Sequence, residues 1–246
     1  MAVQNALNNN IVPFIRSGDS VTLEAETIAQ DAARSAALAP FTVLGKIAVT
    51  VPTTGTADAG NTGDGTVTAV ALVGGVPRAG TWEIECTAAV TNGGTFKLTD
   101  PGGNIVDNAL VMTAGAGAAT VFISNGFTFT ITDGSTDFAS GDVFTVTVTA
   151  SGKWGAFDVD AVNGLQIPRG IYLGYELTAA EIVAGNISDN PVLVGGACTI
   201  DSGQLVIENS ATLATVLSGG GTVRDALAAV GIFAESTVDA DEYENA

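Results

Sequence analysis

The chain has 246 residues, 46% of them hydrophobic, with 31 glycines and frequent Thr and Val; a packed core fits this length, and disorder throughout is excluded. It carries 26 acidic against 8 basic residues and no histidine, for a net charge of -18. That balance argues against gripping nucleic-acid phosphates or an anionic bilayer, both of which need clustered Lys and Arg. The missing imidazole removes His-based triads and the commonest general base.

The opening segment "MAVQNALNNNIVPFIRSG" has no basic stretch followed by an apolar one, so no signal peptide is expected. No run of about 18 apolar residues is present to span a membrane. Two cysteines in different contexts, Cys86 and Cys198, do not make a disulfide framework, and synthesis in a reducing cytoplasm is expected.

In chain order, residues 1–19 read as an irregular arm whose apolar patch is Val12, Pro13, Phe14, Ile15 and Arg16. "SVTLEAETIAQ" alternates as a short half-buried strand, and "AQDAARSAALA" as about two helical turns. "PFTVLGKIAVT" reads as a strand with no hairpin partner nearby; "SGKWGAFD", a hundred residues on, is the candidate partner. Between them the texture changes. "TWEIECT" places Trp82, Ile84 and Cys86 on one face. "GFTFTITDG" does the same with Phe127, Phe129 and Ile131, and "GDVFTVTVTAS" with Phe144, Val146 and Val148. "DPGG" at Asp100–Gly103 predicts a type II turn. Such short strands with period-2 patterning indicate a small antiparallel sandwich over residues 61–150. Its expected hinges are Gly60–Gly65 and Ala150–Gly152. Beyond it, Thr178 and Glu181 form a capping box before a single helical turn. Helices are predicted from Asn209 or Ser210 to Gly219, and from Thr222 to a C′ glycine at Gly231. Residues 235–246 form an acidic tail expected to be disordered.

Motifs with chemistry are few. No G-x-S-x-G is present, and the Gly-rich "GGVPRAG" and "LSGGGT" do not continue into a phosphate-binding loop. Asp133, Asp137 and Asp142 are the best calcium candidates, though their spacing does not fit an EF-hand and Asp-Gly is a common turn. Asp158 and Asp160 alternate with Phe157 and Val159, as on a solvated strand face. The residues give no cofactor site and no catalytic site.

The segments "VTLEA", "FTVLGKIAV", "SGKWGAFD", "IPRGIYLGYEL", "PVLVGGACTI" and "LATVL…VRDALAAVGIF" resemble, in that order, the phage lambda-type head decoration protein family. The likeness covers residues 20–58 and 151–234, and it departs from the family where residues 61–150 intervene. The resemblance implies a small α+β decoration-protein core, residues 20–60 and 151–234; the inserted segment, by its strand patterning, is similar to the Ig-like β-sandwiches of phage structural proteins, so the chain is expected to be mainly β with short helices. The family resemblance also implies a non-catalytic homotrimer on the outer surface of the phage head that stabilises the mature shell by binding the major capsid protein. Residues 1–19 would be the capsid-binding arm, and Trp154, Pro168, Gly170 and Ile171 would lie in the core or at an interface. For the insert two roles stay open, weak contact with host surfaces or glycans and added contacts between neighbouring trimers. The alternatives are another virion protein of tail or fibre with an Ig-like module, and a glycan-binding β protein.

Overall fold

The computed structural model describes residues 15–236 except 114 and 116. The protein is mainly β, with fifteen strands, two short α-helices and one 3-10 turn among the described residues. The chain divides into two compact units: residues 48–151 form one, and the residues on either side form the other.

In chain order, the discontinuous unit opens with β1 (Ile15–Ile28) and β2 (Val43–Lys46). The inserted unit then runs through β3 (Val49–Thr50), β4 (Thr56–Ala57), β5 (Thr66–Leu72), β6 (Gly80–Val90), β7 (Gly93–Thr99), β8 (Ile105–Met112), β9 (Ala119–Ser124), β10 (Phe127–Thr132) and β11 (Val143–Ala150). The first unit resumes with β12 (Trp154–Ala156), β13 (Pro168–Tyr172), α1 (Ala179–Ala184), β14 (Ile187–Asp201), α2 (Val223–Ala229) and β15 (Ile232–Glu235).

The discontinuous unit holds one sheet in the order β1-β12-β2-β13-β14-β15, and β1 also pairs with β14, so five strands close a ring of pairings. β1 and β14 form the long antiparallel side, from Ile15 opposite Ile200 to Ile28 opposite Ile187. Adjacent residues such as Val43 and Leu44, Ile171 and Tyr172, and Val192 and Leu193 are all buried, and the two of each pair join different hydrophobic clusters. The sheet is therefore covered on both faces, which is why these strands read as continuous apolar runs. Val223 and Leu227 of α2 pack into one cluster and Ile182 of α1 into the other. Both helices start with a capping box: Thr178 with Glu181, as the sequence predicts, and Thr222, the predicted helix start, with Asp225.

The inserted unit is a sandwich of two antiparallel sheets, β5-β10-β9 and β3-β11-β6-β7-β8, with β4 also on β11. The predicted inward faces hold: Trp82, Ile84, Cys86, Phe127, Phe129, Ile131, Phe144, Val146 and Val148 are all buried in one cluster. Trp82 meets Phe127 edge-on with centroids 5.2 Å apart, and Phe96 meets Phe138 at 5.1 Å, a favoured aromatic geometry. The strand order departs from the immunoglobulin arrangement, in which the second and third strands lie in different sheets and the last two pair. Here β6 pairs β7, while β10 and β11 lie in different sheets. The two-residue link Thr91–Asn92, with Asn92 at φ 55°, is too short to cross between sheets and fixes the β6–β7 hairpin.

Five expectations need correction. Residues 15–19 are not an arm: their backbone is the start of β1, and Ile15 packs against the core of the first unit. Val12, Pro13 and Phe14 lie outside the described residues. The insert begins at Ala48 instead of 61, because residues 49–57 supply β3 and β4 to the sheet around β11. Residues 29–39 and 209–219 are turns, not helices; Asn209 and Ser210 are left-handed, at φ 57° and 58°, which no helix start tolerates. The turn at Asp100–Gly103 has its positive φ at Gly103, not at the position a type II turn requires. Glu235 belongs to β15, opposite Asp201, so the acidic tail starts later.

The two ends of the insert lie together. In the inserted unit the Ser151 N–H donates to the Ala48 carbonyl at 3.0 Å, and in the first unit the Gly152 N–H donates to the Ile47 carbonyl at 2.8 Å. Replacing residues 48–151 by a two-residue Asn-Gly turn should therefore leave the first unit folded, with a cooperative thermal transition and a β-type circular dichroism spectrum. A spectrum without that transition would refute the independence of the two units.

Candidate functional site

The predicted core-or-interface residues are brought together by the strands of the discontinuous unit, and they are core. β2 pairs β12 with Lys46 opposite Trp154 and Gly45 opposite Gly155, and β13 pairs β2 on its other edge. Trp154 and Ile171 are buried, as are Pro168 and Gly170. Pro168 begins β13, a position where its missing N–H leaves no ladder bond unmade.

The motif glycines have a packing reason. A Cβ on Gly45 would lie 2.5 Å from the Leu165 carbonyl oxygen and 2.6 Å from the Leu165 Cα. A Cβ on Gly155 would meet the Leu165 side chain at 3.2 Å. The Gly45–Gly155 pair thus makes a floor on which the 158–167 loop rests, held there by the Asp158 N–H donating to the Leu165 carbonyl at 3.2 Å. Gly170 is equally crowded, with the Leu193 carbonyl at 2.7 Å and the Trp154 ring at 3.0 Å from its would-be Cβ. Over the other strand end, the Lys46 ammonium lies 5.0 Å from the Trp154 ring centroid and pairs with Glu26 at 3.4 Å. The Trp154 indole N–H is buried with no hydrogen-bond partner.

A cavity of about 440 Å³ opens beside this floor, lined by Ile28, Arg34, Leu38, Ala156, Leu165 and Glu208 among others. Arg34 grips Glu208 with two bonds, at 2.7 and 2.5 Å, and also donates to the carbonyls of Ala36 and Ala37. Four of the five guanidinium N–H donors are thus used within the chain, and the positive charge is already paired with a carboxylate. This ion pair, which spans 174 positions of sequence, was not legible beforehand; the scarcity of basic residues was its only signal.

In the inserted unit the three calcium candidates do separate jobs. Asp142 is buried and accepts N–H groups from Thr62, Gly63 and Ala139 at 2.8 to 2.9 Å. Asp137 accepts the Asn92 N–H at 2.8 Å. Asp133 is buried with neither carboxylate oxygen bonded. No group of three or more His, Cys, Asp or Glu suited to a metal occurs among the described residues. Asp158 and Asp160 sit in a turn instead of a strand, with the Asp160 N–H donating to the Asp158 carboxylate at 3.0 Å.

No protein-family model matches the chain, and no curated protein matches it. Two crystal structures of Xanthomonas campestris FlgL, from different crystal forms, align at TM-scores of 0.31 and 0.30 with 20% and 23% identity. They cover 46% and 48% of this chain, which spans 33% of the length of each FlgL chain. A likeness at that level carries nothing about fold or function.

Two measurements probe these interiors. Gly45→Ala should destabilise the first unit by about 2–3 kcal/mol, because the new methyl meets backbone that cannot yield; an unchanged urea midpoint would refute the floor. For Asp142, burial raises the carboxyl pKa, but the N–H bonds from Ala139, Thr62 and Gly63 outweigh it and hold the group below its ordinary range. Its stabilising contribution is complete above the unfolded carboxylate value of about 4 and is lost as pH falls through the lower folded value. Asp142→Ala should therefore weaken the inserted unit at neutral pH, by about 2 kcal/mol or more from three unpaired N–H groups. The variant should also lose less further stability on acidification than the parent, as read by urea unfolding at pH 7 and pH 3.

Proposed function

We propose that the chain is a phage head decoration protein: a non-catalytic homotrimer that binds the outer surface of the mature capsid and stabilises it. One observation carries this reading. The strand-forming segments that resemble the family, within residues 20–47 and 152–234, are neighbours in a single sheet. β2 of "VLGK" pairs both β12 of "KWGA" and β13 of "PRGIY"; β13 pairs β14 of "VLVGGACTI"; and β14 pairs β15 of "GIF". The extra residues fold as a unit of their own, so they interrupt the motif order without breaking the sheet.

The function needs no reacting group. A protein that binds the assembled shell and not its separated subunits stabilises the shell by mass action, and trimeric closure lets three weak contacts act together. The major capsid protein is the partner, with residues 1–14 as the segment that would add a strand to it. A glycan-binding role has less support: both tryptophans are buried, whereas such sites use exposed aromatic platforms.

The test is direct. Mixed with expanded, undecorated heads, the protein should cosediment with them and raise their melting temperature. Light scattering of the free protein and the stoichiometry on heads should show an oligomer in at least one of the two states, and a monomer in both would count heavily against the reading. Failure to cosediment would sink the proposal. Deleting residues 1–14 should weaken binding while leaving the melting temperature of the free protein unchanged.

A further inference from the structure

We propose that β9 is a pairing edge through which the inserted unit binds the same strand of a second copy of this chain. Among the described residues β9 hydrogen-bonds to one strand only, β10, so its other edge is open. The pairing with β10 runs over six consecutive residue pairs without a register shift, from Ser124 opposite Phe127 to Ala119 opposite Thr132. It is set by a tight turn at Asn125–Gly126, both at positive φ, 51° and 88°. The pairing is therefore regular along the whole of β9.

Open edges invite association, and native proteins guard them with charges, prolines, bulges, short strands or covering segments. The other edges of this sandwich are guarded. β8 carries Asp107 and two register shifts against β7. β5 has a bulge against β10 and is covered by residues 53–55, through the Gly55 N–H to Val67 and the Val70 N–H to Thr53. β3 and β4 are two residues each. Among the described residues β9 shows none of these devices. No charged residue and no proline occurs from Ala109 to Thr132, in a chain that carries 34 charged side chains, the sum of its 26 acidic and 8 basic residues.

The side chains agree. Val121 and Ile123 are 65% and 70% exposed and stand in rows with Thr130 and Thr128 of β10 and with Thr68 and Ala71 of β5. The outer face of this three-stranded sheet is thus uncharged and rich in β-branched residues, the types that favour cross-strand pairing. The occupant is a second copy because of charge. A chain at -18 repels its own copies wherever carboxylates meet, and this face is where two copies approach without that cost. A basic partner finds no carboxylate here to attract it. Antiparallel pairing about a twofold axis needs no complementary sequence, since it sets Val121 and Ile123 of one copy against the same short run of the other.

The inference stands apart from the capsid reading; a chain that fails to bind heads but associates through β9 keeps it. The test uses the full chain. Val121→Cys and Ile123→Cys, made singly, should give disulfide-linked dimers under mild oxidation, well above the yield from Val216→Cys, an equally exposed valine (69%) of the other unit. The native cysteines are buried and do not compete. The double variant Val121→Asp, Ile123→Asp should raise the self-association constant for dissociation by about 10-fold or more in sedimentation equilibrium, since like charges directly opposite oppose pairing. Its melting temperature should stay that of the parent, because both side chains already face solvent. Association identical to the parent's, or cross-linking no greater than at position 216, would overturn the proposal.

Discussion

Gly45 lies opposite Gly155 with the Leu165 backbone against the first and its side chain against the second, and this crowded contact joins parts of the chain a hundred residues apart. Three features depend on it. It lets β2 and β12 pair at close range, it seats the 158–167 loop, and it brings Ile47 and Gly152 within hydrogen-bond reach. Closing a loop of this length would carry an entropy cost that grows only slowly with length. Here the cost is smaller still, because the loop is a folded unit whose own ends, Ala48 and Ser151, are already bonded. An insertion with adjacent termini replaces a hairpin turn without asking the host sheet to change.

The two units solve the same burial problem differently. In the discontinuous unit both faces of the sheet are covered, by loops, by α1 and by α2, so consecutive residues such as Val192 and Leu193 are both fully buried. In the sandwich each sheet covers the other and leaves one face in water, so apolar and polar residues alternate. That difference in layering explains why the sequence changes texture at the unit boundary, from runs such as "PVLV" to alternation such as "FTFTIT".

It also explains what could be read in advance. Period-2 alternation identified the inward residues of the sandwich, because one-sided burial writes itself directly into the strand. The capping box at Thr178 and the helix start at Thr222 were legible because a helix start needs only local partners. The strand order was not legible, since alternation says which face is buried and nothing about which strand is next to which. The false helices at 29–39 and 209–219 have small apolar residues that suit a helix, but Arg34 of the first is bound to Glu208, just before the second, and Asn209 and Ser210 are left-handed, so both segments run as turns. Leu165 escaped notice because its contribution is the close approach of its backbone to a glycine, which leaves no mark in its own type. The extent of β1 back to Ile15 escaped because Pro13 and the polar run before it suggested an arm, whereas β14 is long enough to pair through to Ile200.

Charge decides how such a protein can associate. Of the eight basic residues, Arg34, Lys46, Arg78 and Lys97 already pair with carboxylates of the same chain. The surface therefore presents mostly uncompensated negative charge, and repulsion between copies reaches about 10 Å at moderate ionic strength. Against that background an uncharged strand edge is an address, because it is the place where hydrogen bonding and apolar contact are not opposed. On the proposed reading this constraint is sharp, since the copies must stay apart in solution yet sit close together on a shell. A high net charge with one neutral edge meets both needs: the edge contributes little between dilute molecules, and more once the shell holds neighbouring copies at high local concentration.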